Sequence, residues 1–266
     1  MLRHALLGGV SAVALAGFTY SAQAYPPLPN LTNLNFQTTA NPPKGSFGYV
    51  DPAGWTGGSG LIFIDSTSIP NAQAASGVYL TTYANPVGSY SGNYVEADGN
   101  PTFESGFNYR VTGLTPGQTY TLSFYQGASQ QTGFVGTTTN QWIVSLGTSG
   151  LTVNINSGVG SYSNSDVNAS VVASPLMTIP TGTAVGWDYV TVNLTADSTT
   201  DLLSFLAWGD NGSTVNLPPI AFLAGVNSPP GLGAVPEPAT LSLLGVGLVG
   251  IGAVTRRRRG KRSLSC

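Results

Sequence analysis

The chain has 266 residues, of which only 8% are charged, with nine Lys and Arg against eleven Asp and Glu. Its one histidine, His4, and its one cysteine, Cys266, lie at the two ends, which excludes Ser-His-Asp catalysis, Cys-His catalysis and His- or Cys-based zinc sites from the long middle part. Residues 25–234 contain two cations and ten acids, a formal charge of −8, and a surface so poor in cations excludes nucleic acid as a partner.

The first 24 residues have the pattern of a secretory signal peptide. A short basic start is followed by an apolar stretch over residues 5–18, and Ala22 and Ala24 are small residues at the two positions that signal peptidase reads. The pattern predicts cleavage after Ala24, so that the mature chain begins at Tyr25. The alternative is an N-terminal anchor, but the apolar stretch is short for a membrane span of roughly 20 residues.

Residues 25–230 form the predicted body, whose length suits one all-β domain. Runs rich in β-forming residues recur between Gly, Pro and Asn breaks, without helical periodicity of useful length. The runs are GLIFIDS, SGVYLTTY, FNYRVTGL, QTYTLSFYQ, NQWIVSLG, GLTVNINS, WDYVTVNLTA, DLLSFLAWG and PIAFLAGVN. This spacing predicts an antiparallel β-sandwich of the jelly-roll type, because a parallel sheet would need crossover helices.

Two of these runs can be assigned a dry face and a wet face. QTYTLSFYQ alternates apolar side chains with threonine and serine, and the turn before it contains Pro116 and Gly117. In WDYVTVNLT the set Val190, Val192 and Leu194 is apolar, whereas the opposite set begins with Trp187 and Tyr189 and continues with Thr191 and Asn193. Aromatic and polar groups on one face are the pattern of a strip that stacks on sugar rings.

The body's tryptophans are the first candidates for ligand contact, because aromatic rings bury large areas at low entropic cost. Trp142 alternates in phase with Val144 and Leu146 and is predicted to be a core residue, and Trp55 is predicted to pack near a sheet edge. Trp208 ends its run beside a polar GDNG loop. The predicted ligand-binding residues are Trp187, Tyr189, Trp208, Asp210 and Asn211.

Three carboxylates, Glu96, Asp98 and Glu104, lie close together in VEADGNPTFES. A glycosidase needs two carboxyl groups about 5 to 9.5 Å apart. Proximity in sequence does not establish that separation, so the interpretation favoured for this stretch is a solvated loop. No catalytic residue is therefore predicted.

Residues 231–266 form the predicted tail. Val235, Pro236, Glu237 and Pro238 keep the chain extended, an uncharged run over residues 239–255 reaches the lower limit for a membrane helix, and residues 256–266 are basic and are expected to stay cytoplasmic. In this order the parts resemble the PEP-CTERM sorting signal of Gram-negative bacteria. The resemblance implies transient inner-membrane anchoring, processing by an exosortase, and delivery to the cell surface or an extracellular matrix. A permanent single-span anchor is the alternative.

The body, in turn, resembles the galactose-binding-like jelly rolls that many carbohydrate-binding modules share. The resemblance rests on the order VTGLTPGQTYTLSFYQ, QWIVSLG, WDYVTVNLTADSTTDLLSFLAWG and a final apolar strand. It implies a sandwich of eight or more strands, with a structural calcium in some members. The last strand here reads FLAGVNS, without the aspartate that helps to hold calcium in that family, so no metal or cofactor is expected.

These features predict an exported, non-catalytic surface or matrix protein whose body binds extracellular polysaccharide. A neutral polymer is favoured, because the charge of −8 repels acidic ones at low salt. Two alternatives stay open: a carboxylate-based enzyme acting on glycans, and an inert structural coat protein without a ligand.

Overall fold

The computed structural model describes residues 24–36, 52–57, 62–66, 93–103 and 106–227. Within these ranges the secondary structure is strands and one 3₁₀ turn, Asp210–Gly212, which confirms the all-β prediction. The strands are β1 (Trp55–Gly57), β2 (Ile62–Ser66), β3 (Asn93–Asp98), β4 (Gly106–Thr112), β5 (Thr119–Gln130), β6 (Thr138–Gly147), β7 (Leu151–Asn156), β8 (Val159–Asn164), β9 (Ser170–Ala173), β10 (Met177–Ile179), β11 (Ala184–Thr195), β12 (Thr200–Gly209) and β13 (Pro219–Ala224).

The described strands pair antiparallel in two large sheets and one hairpin. One sheet has the order β1-β4-β12-β6-β10, with β9 also paired to β6, and the other has the order β11-β5-β13-β3-β2. Strands β7 and β8 form a separate hairpin. In the described ranges, no helix is long and apolar enough to cross a membrane. The predicted run SGVYLTTY, residues 1–23 of the signal peptide and the whole tail lie outside these ranges.

The main core lies between the two sheets and contains the apolar sets that the alternation predicted. Val190, Val192 and Leu194 of β11 are buried there, as are the inward side chains of β5. Trp142 is completely buried, which confirms its predicted core position, and its indole Nε1 donates to the backbone oxygen of Phe222 in the opposite sheet at 3.0 Å. Trp55 is buried on the edge strand β1, as predicted.

The predicted start of the mature chain closes one end of this core. Leu28 is buried, and its backbone N–H donates to the Thr121 oxygen at 3.3 Å, while the Thr121 N–H donates to the Pro26 oxygen at 2.8 Å. At the other end of the body's sequence, the Asn227 N–H donates to the Ser123 oxygen and its side chain donates to the Leu28 oxygen. Both ends of the described body therefore meet at the beginning of β5.

The interpretation of VEADGNPTFES as a solvated loop was wrong for its first part. Glu96 and Asp98 belong to β3, which pairs with β2 on one side and with β13 on the other, and both residues are buried. The pattern was missed because carboxylates are depleted in strands. The side chains nevertheless alternate, with Val95 and Ala97 in the main core. Glu104 lies outside the described residues.

Candidate functional site

The outer face of the five-stranded sheet carries the predicted aromatic and polar strip of β11. Strand β5 lies beside it in a continuous register from Asp188 opposite Gln126 to Thr195 opposite Thr119. Because side chains alternate between faces, Trp187 and Tyr189 project from the face opposite the main core. They pack with Tyr94, Tyr125, Ile220, Phe222 and Ala224 in a second apolar cluster, here called the outer aromatic cluster.

Trp187 is the centre of the outer aromatic cluster. Its ring centroid lies 5.5 Å from that of Tyr94 and 5.6 Å from that of Phe222. Beneath the indole lies Gly127, where an added Cβ would come within 3.3 Å of the ring, so the absence of a side chain lets the indole approach the sheet. Only 8% of Trp187 is exposed. The sugar contact predicted for it stays a prediction, and the structure shows a packing role.

Tyr189 lies at the margin of the outer aromatic cluster and is half-buried. Its ring makes an edge contact with Tyr125, with centroids 5.2 Å apart. From Tyr189 towards the end of β11, the same face carries the exposed side chains of Thr191, Asn193 and Thr195. Tyr189 therefore lies between the buried outer aromatic cluster and the polar part of the strip.

The polar part of the strip continues from β11 to β5. The Thr119 and Thr195 hydroxyl oxygens are 2.9 Å apart, and the Thr121 hydroxyl donates to the Asn193 side-chain oxygen at 3.2 Å. We call Thr119, Thr121, Thr191, Asn193 and Thr195 the polar ladder. Its hydroxyl and amide groups hold one another in place, yet each can exchange further hydrogen bonds with a ligand or with water.

Two carboxylates extend the same outer face on β3. Tyr94, Glu96 and Asp98 are alternate residues of that strand, and Glu96 is opposite Phe222 of the outer aromatic cluster. Burial raises the pKa of Asp98 to about 7, although the Asn100 N–H, which donates to its Oδ1 at 2.8 Å, acts in the opposite direction. Asp98 is therefore partly protonated near neutral pH.

Trp208 lies on the outer face of the other sheet, so the structure does not bring it together with Trp187. It is buried beneath the β7–β8 hairpin, where its ring makes an edge contact with Tyr162 at 4.9 Å. Gly160 and Gly212 border the indole, and an added Cβ at these positions would lie 3.1 and 2.7 Å from it. Trp208 thus fastens the hairpin to the sheet.

Asp210 and Asn211 lie in the 3₁₀ turn that follows Trp208. The Asp210 carboxylate accepts from the Thr138 hydroxyl at 2.7 Å and from the Thr139 N–H at 2.8 Å, so it ties the turn to β6. Asn211 is exposed and has a φ of 52°. Their predicted ligand contacts stay predictions. The described residues contain no group of three or more His, Cys, Asp or Glu that could hold a metal ion.

The two ends of the chain differ in how much the structure describes. Ala24 and Tyr25, at the predicted signal-peptidase site, are exposed, whereas Ala22 lies outside the described residues. Val235, Pro236, Glu237 and Pro238 also lie outside them, but residues 234–259 match the model of the PEP-CTERM protein-sorting motif. The predicted sorting signal is therefore confirmed. It marks an exported protein that an exosortase processes and sorts to the cell envelope.

Solved structures with partly similar folds include proteins that bind or act on carbohydrate. TmCBM61, solved with beta-1,4-galactotriose, is 11% identical over 74% of this chain and 94% of its own, with a TM-score of 0.34. A family 11 carbohydrate-binding module from Clostridium thermocellum, solved with a beta-1,3-1,4-mixed-linked tetrasaccharide, is 12% identical over 65% and 87%, with a TM-score of 0.29. The arabinose-bound MgGH51 α-L-arabinofuranosidase is 16% identical over 76% and 26%, with a TM-score of 0.38.

Among curated proteins, none matches the chain. The structural similarities are too distant to assign a ligand. The proposals below therefore depend on the residues of this chain.

Proposed function

We propose that this exported protein binds a neutral polysaccharide, without cleaving it, along strands β5 and β11. The observation that carries the proposal is the continuity, on one sheet face, between half-buried Tyr189 and the polar ladder, whose β11 side chains are exposed. After transient anchoring in the inner membrane, the protein would act at the cell surface or in the extracellular matrix of a Gram-negative bacterium.

The chemistry of the strip suits a sugar polymer. The ring of Tyr189 offers an apolar face for the C–H groups of a sugar, and its hydroxyl is a polar handle. Alternate residues of a strand are about 6.6–6.8 Å apart, so Thr191, Asn193 and Thr195 repeat polar groups along about 13 Å of one direction. A chain of hydroxyl-bearing units lying along the strand can exchange hydrogen bonds with each in turn.

The charge distribution favours a neutral polymer. Among the described residues Arg110 is the one Lys or Arg, and it lies on β4 of the other sheet. Asp188 is exposed on β11 next to the strip. An acidic polysaccharide would therefore meet a negative surface without a cation to compensate, whereas a neutral polysaccharide loses nothing by this arrangement.

Binding of the exported protein to a panel of neutral and acidic glycans tests the proposal. Tyr189→Ala should weaken binding of the retained glycan by about twofold to tenfold, since an aromatic contact contributes about 0.5–1.5 kcal/mol. Tyr162→Ala is the control, because Tyr162 is an exposed tyrosine that also makes one aromatic edge contact but lies on the β7–β8 hairpin, away from the strip. A wild-type protein that retains no glycan would favour the inert coat protein, whereas equal losses in the two variants would show that the glycan does not bind along the strip.

A second candidate, a carboxylate-based enzyme acting on glycans, is favoured by the position of Glu96 and Asp98. Glu96 and Asp98 are alternate residues of β3, so their carboxyl groups lie on one face and their Cα atoms are about 6.6–6.8 Å apart. This separation is near the range found between the two carboxyl groups of inverting glycosidases. The raised pKa of Asp98 suits a general acid. Release of reducing ends from the retained glycan by the wild type, and loss of this release in both Glu96→Gln and Asp98→Asn, would establish the activity. If the wild type releases no reducing ends, the activity is excluded for that glycan.

A further inference from the structure

Among the described strands, β11 is an edge strand of the five-stranded sheet. It is the first strand in the sheet order and pairs with β5. An edge strand directs every second N–H and C=O away from its sheet. In the part of the chain that the structure describes, the backbone of residues 190–195 has no ladder partner on its other side. Every second residue in this six-residue segment thus presents an outward N–H and C=O, which together form a regular hydrogen-bonding edge.

The sequence of this edge lacks the usual protection against pairing. Edge strands are commonly blocked by lysine, proline, charge or a bulge. In β11 the register shift between Val185 and Asp188, and the charge of Asp188, protect the first part. Residues 189–195 read YVTVNLT, with four β-branched residues, no charge and no proline. This composition is typical of a strand that pairs.

We infer that a second copy of this chain pairs along this edge, β11 to β11, in antiparallel orientation. With Val192 at the twofold axis, Val190 lies opposite Leu194 of the second copy, and Thr191 lies opposite Asn193 of the second copy. In each of these pairs the two side chains lie on the same face of the combined sheet. Val190 and Leu194 therefore join the two apolar cores, and Thr191 and Asn193 join the two polar ladders. Once the two β11 strands are paired, neither has a free edge for a third copy, so association along this edge stops at the dimer.

Charge and exposed apolar residues both favour a second copy as the occupant. The body carries −8, so most of its surface repels another copy, whereas residues 189–195 carry no charge, with Asp188 and Asp197 flanking the paired segment. Strand β9 of the opposite sheet lies beside β11, and the segment around it exposes Val167, Val171 and Leu176 at 93%, 42% and 58%. Val171, which lies on β9 itself, supplies an apolar contact at the margin of the paired edges.

Sedimentation velocity of the exported protein, in sugar-free buffer over a wide concentration range, tests the inference. We expect a reversible monomer–dimer equilibrium. Asn193→Lys should raise the dimer dissociation constant at least tenfold. Each copy would then place a lysine among the joined polar ladders, and a lysine on an edge strand opposes pairing. Thr152→Lys is the matched control, since Thr152 is also an exposed strand residue, on β7, and this variant should associate like the wild type.

Disulfide trapping gives a second readout that does not depend on the lysine variant. The double variant Thr191→Cys/Asn193→Cys, in a Cys266→Ser background, should form an oxidised dimer because opposite residues of paired strands have Cβ atoms about 4.5–5.5 Å apart. Thr152→Cys/Asn154→Cys in the same background should not. A wild type that stays monomeric at every concentration, or cross-linking equal in the two double variants, would overturn the inference. Failure of glycan binding would leave it intact.

Discussion

Replacing Trp187 by alanine separates a packing role from a ligand contact. The indole is 8% exposed, makes ring contacts with Tyr94 and Phe222 at 5.5 and 5.6 Å, and lies against Gly127. Truncating such a buried tryptophan removes its transfer free energy and leaves a cavity, at a combined cost of about 3–5 kcal/mol. Because a domain of this kind is stable by about 5–15 kcal/mol, the variant should lose a large fraction of its stability.

Urea denaturation, followed by tryptophan fluorescence and by circular dichroism, measures this loss. The matched comparison is Tyr189→Ala, which removes a half-buried aromatic residue from the same face and should cost about 1–2 kcal/mol. Glycan binding is measured on both variants at a temperature where both are folded. If Trp187→Ala lowers the free energy of unfolding by less than about 1 kcal/mol and still abolishes binding, the packing argument is wrong and the indole is a ligand contact.

Three further predictions concern pH, the β7–β8 hairpin and processing. The folded-state pKa of Asp98 is raised from 3.8 to about 7, so the native state binds more protons than the unfolded state between these two values. The free energy of unfolding should therefore fall by up to about 4 kcal/mol as the pH rises from 4 to 8. Asp98→Asn should flatten this pH profile in urea titrations, and an unchanged slope would mean that other groups cause it. Gly212→Ala should destabilise more than Gly182→Ala in thermal melts, because both positions have positive φ but only the first adds a clash with Trp208, and equal losses would contradict the clash. The intact mass of surface-located protein should correspond to a chain that begins at Tyr25 and ends near Pro238, whereas a mass that includes Cys266 would indicate a permanent anchor.

The sequence by itself determined the class of fold, the faces of its clearest strands and the sorting signal. Alternation in β5 and β11 assigned Tyr120 and Val190 to the dry face, and alternation in β6 assigned Trp142 to the core, because side-chain direction repeats every two residues whatever the strand's neighbours are. The sorting motif was readable because its parts are contiguous in the chain, so that their recognition needs no tertiary contact. Tyr189 was likewise placed with the polar side chains of its own strand.

Only the tertiary structure decided which sheet each strand joins and what covers its outer face. Trp187 and Trp208 were predicted to bind the same ligand, yet one packs in the outer aromatic cluster and the other under the β7–β8 hairpin on the opposite sheet. Likewise, acidic residues are generally depleted in strands. In β3, however, pairing with β2 and β13 overrides that preference and buries Glu96 and Asp98. Strand order and burial depend on contacts between residues far apart in the chain, and the period of a single strand contains no information about those contacts.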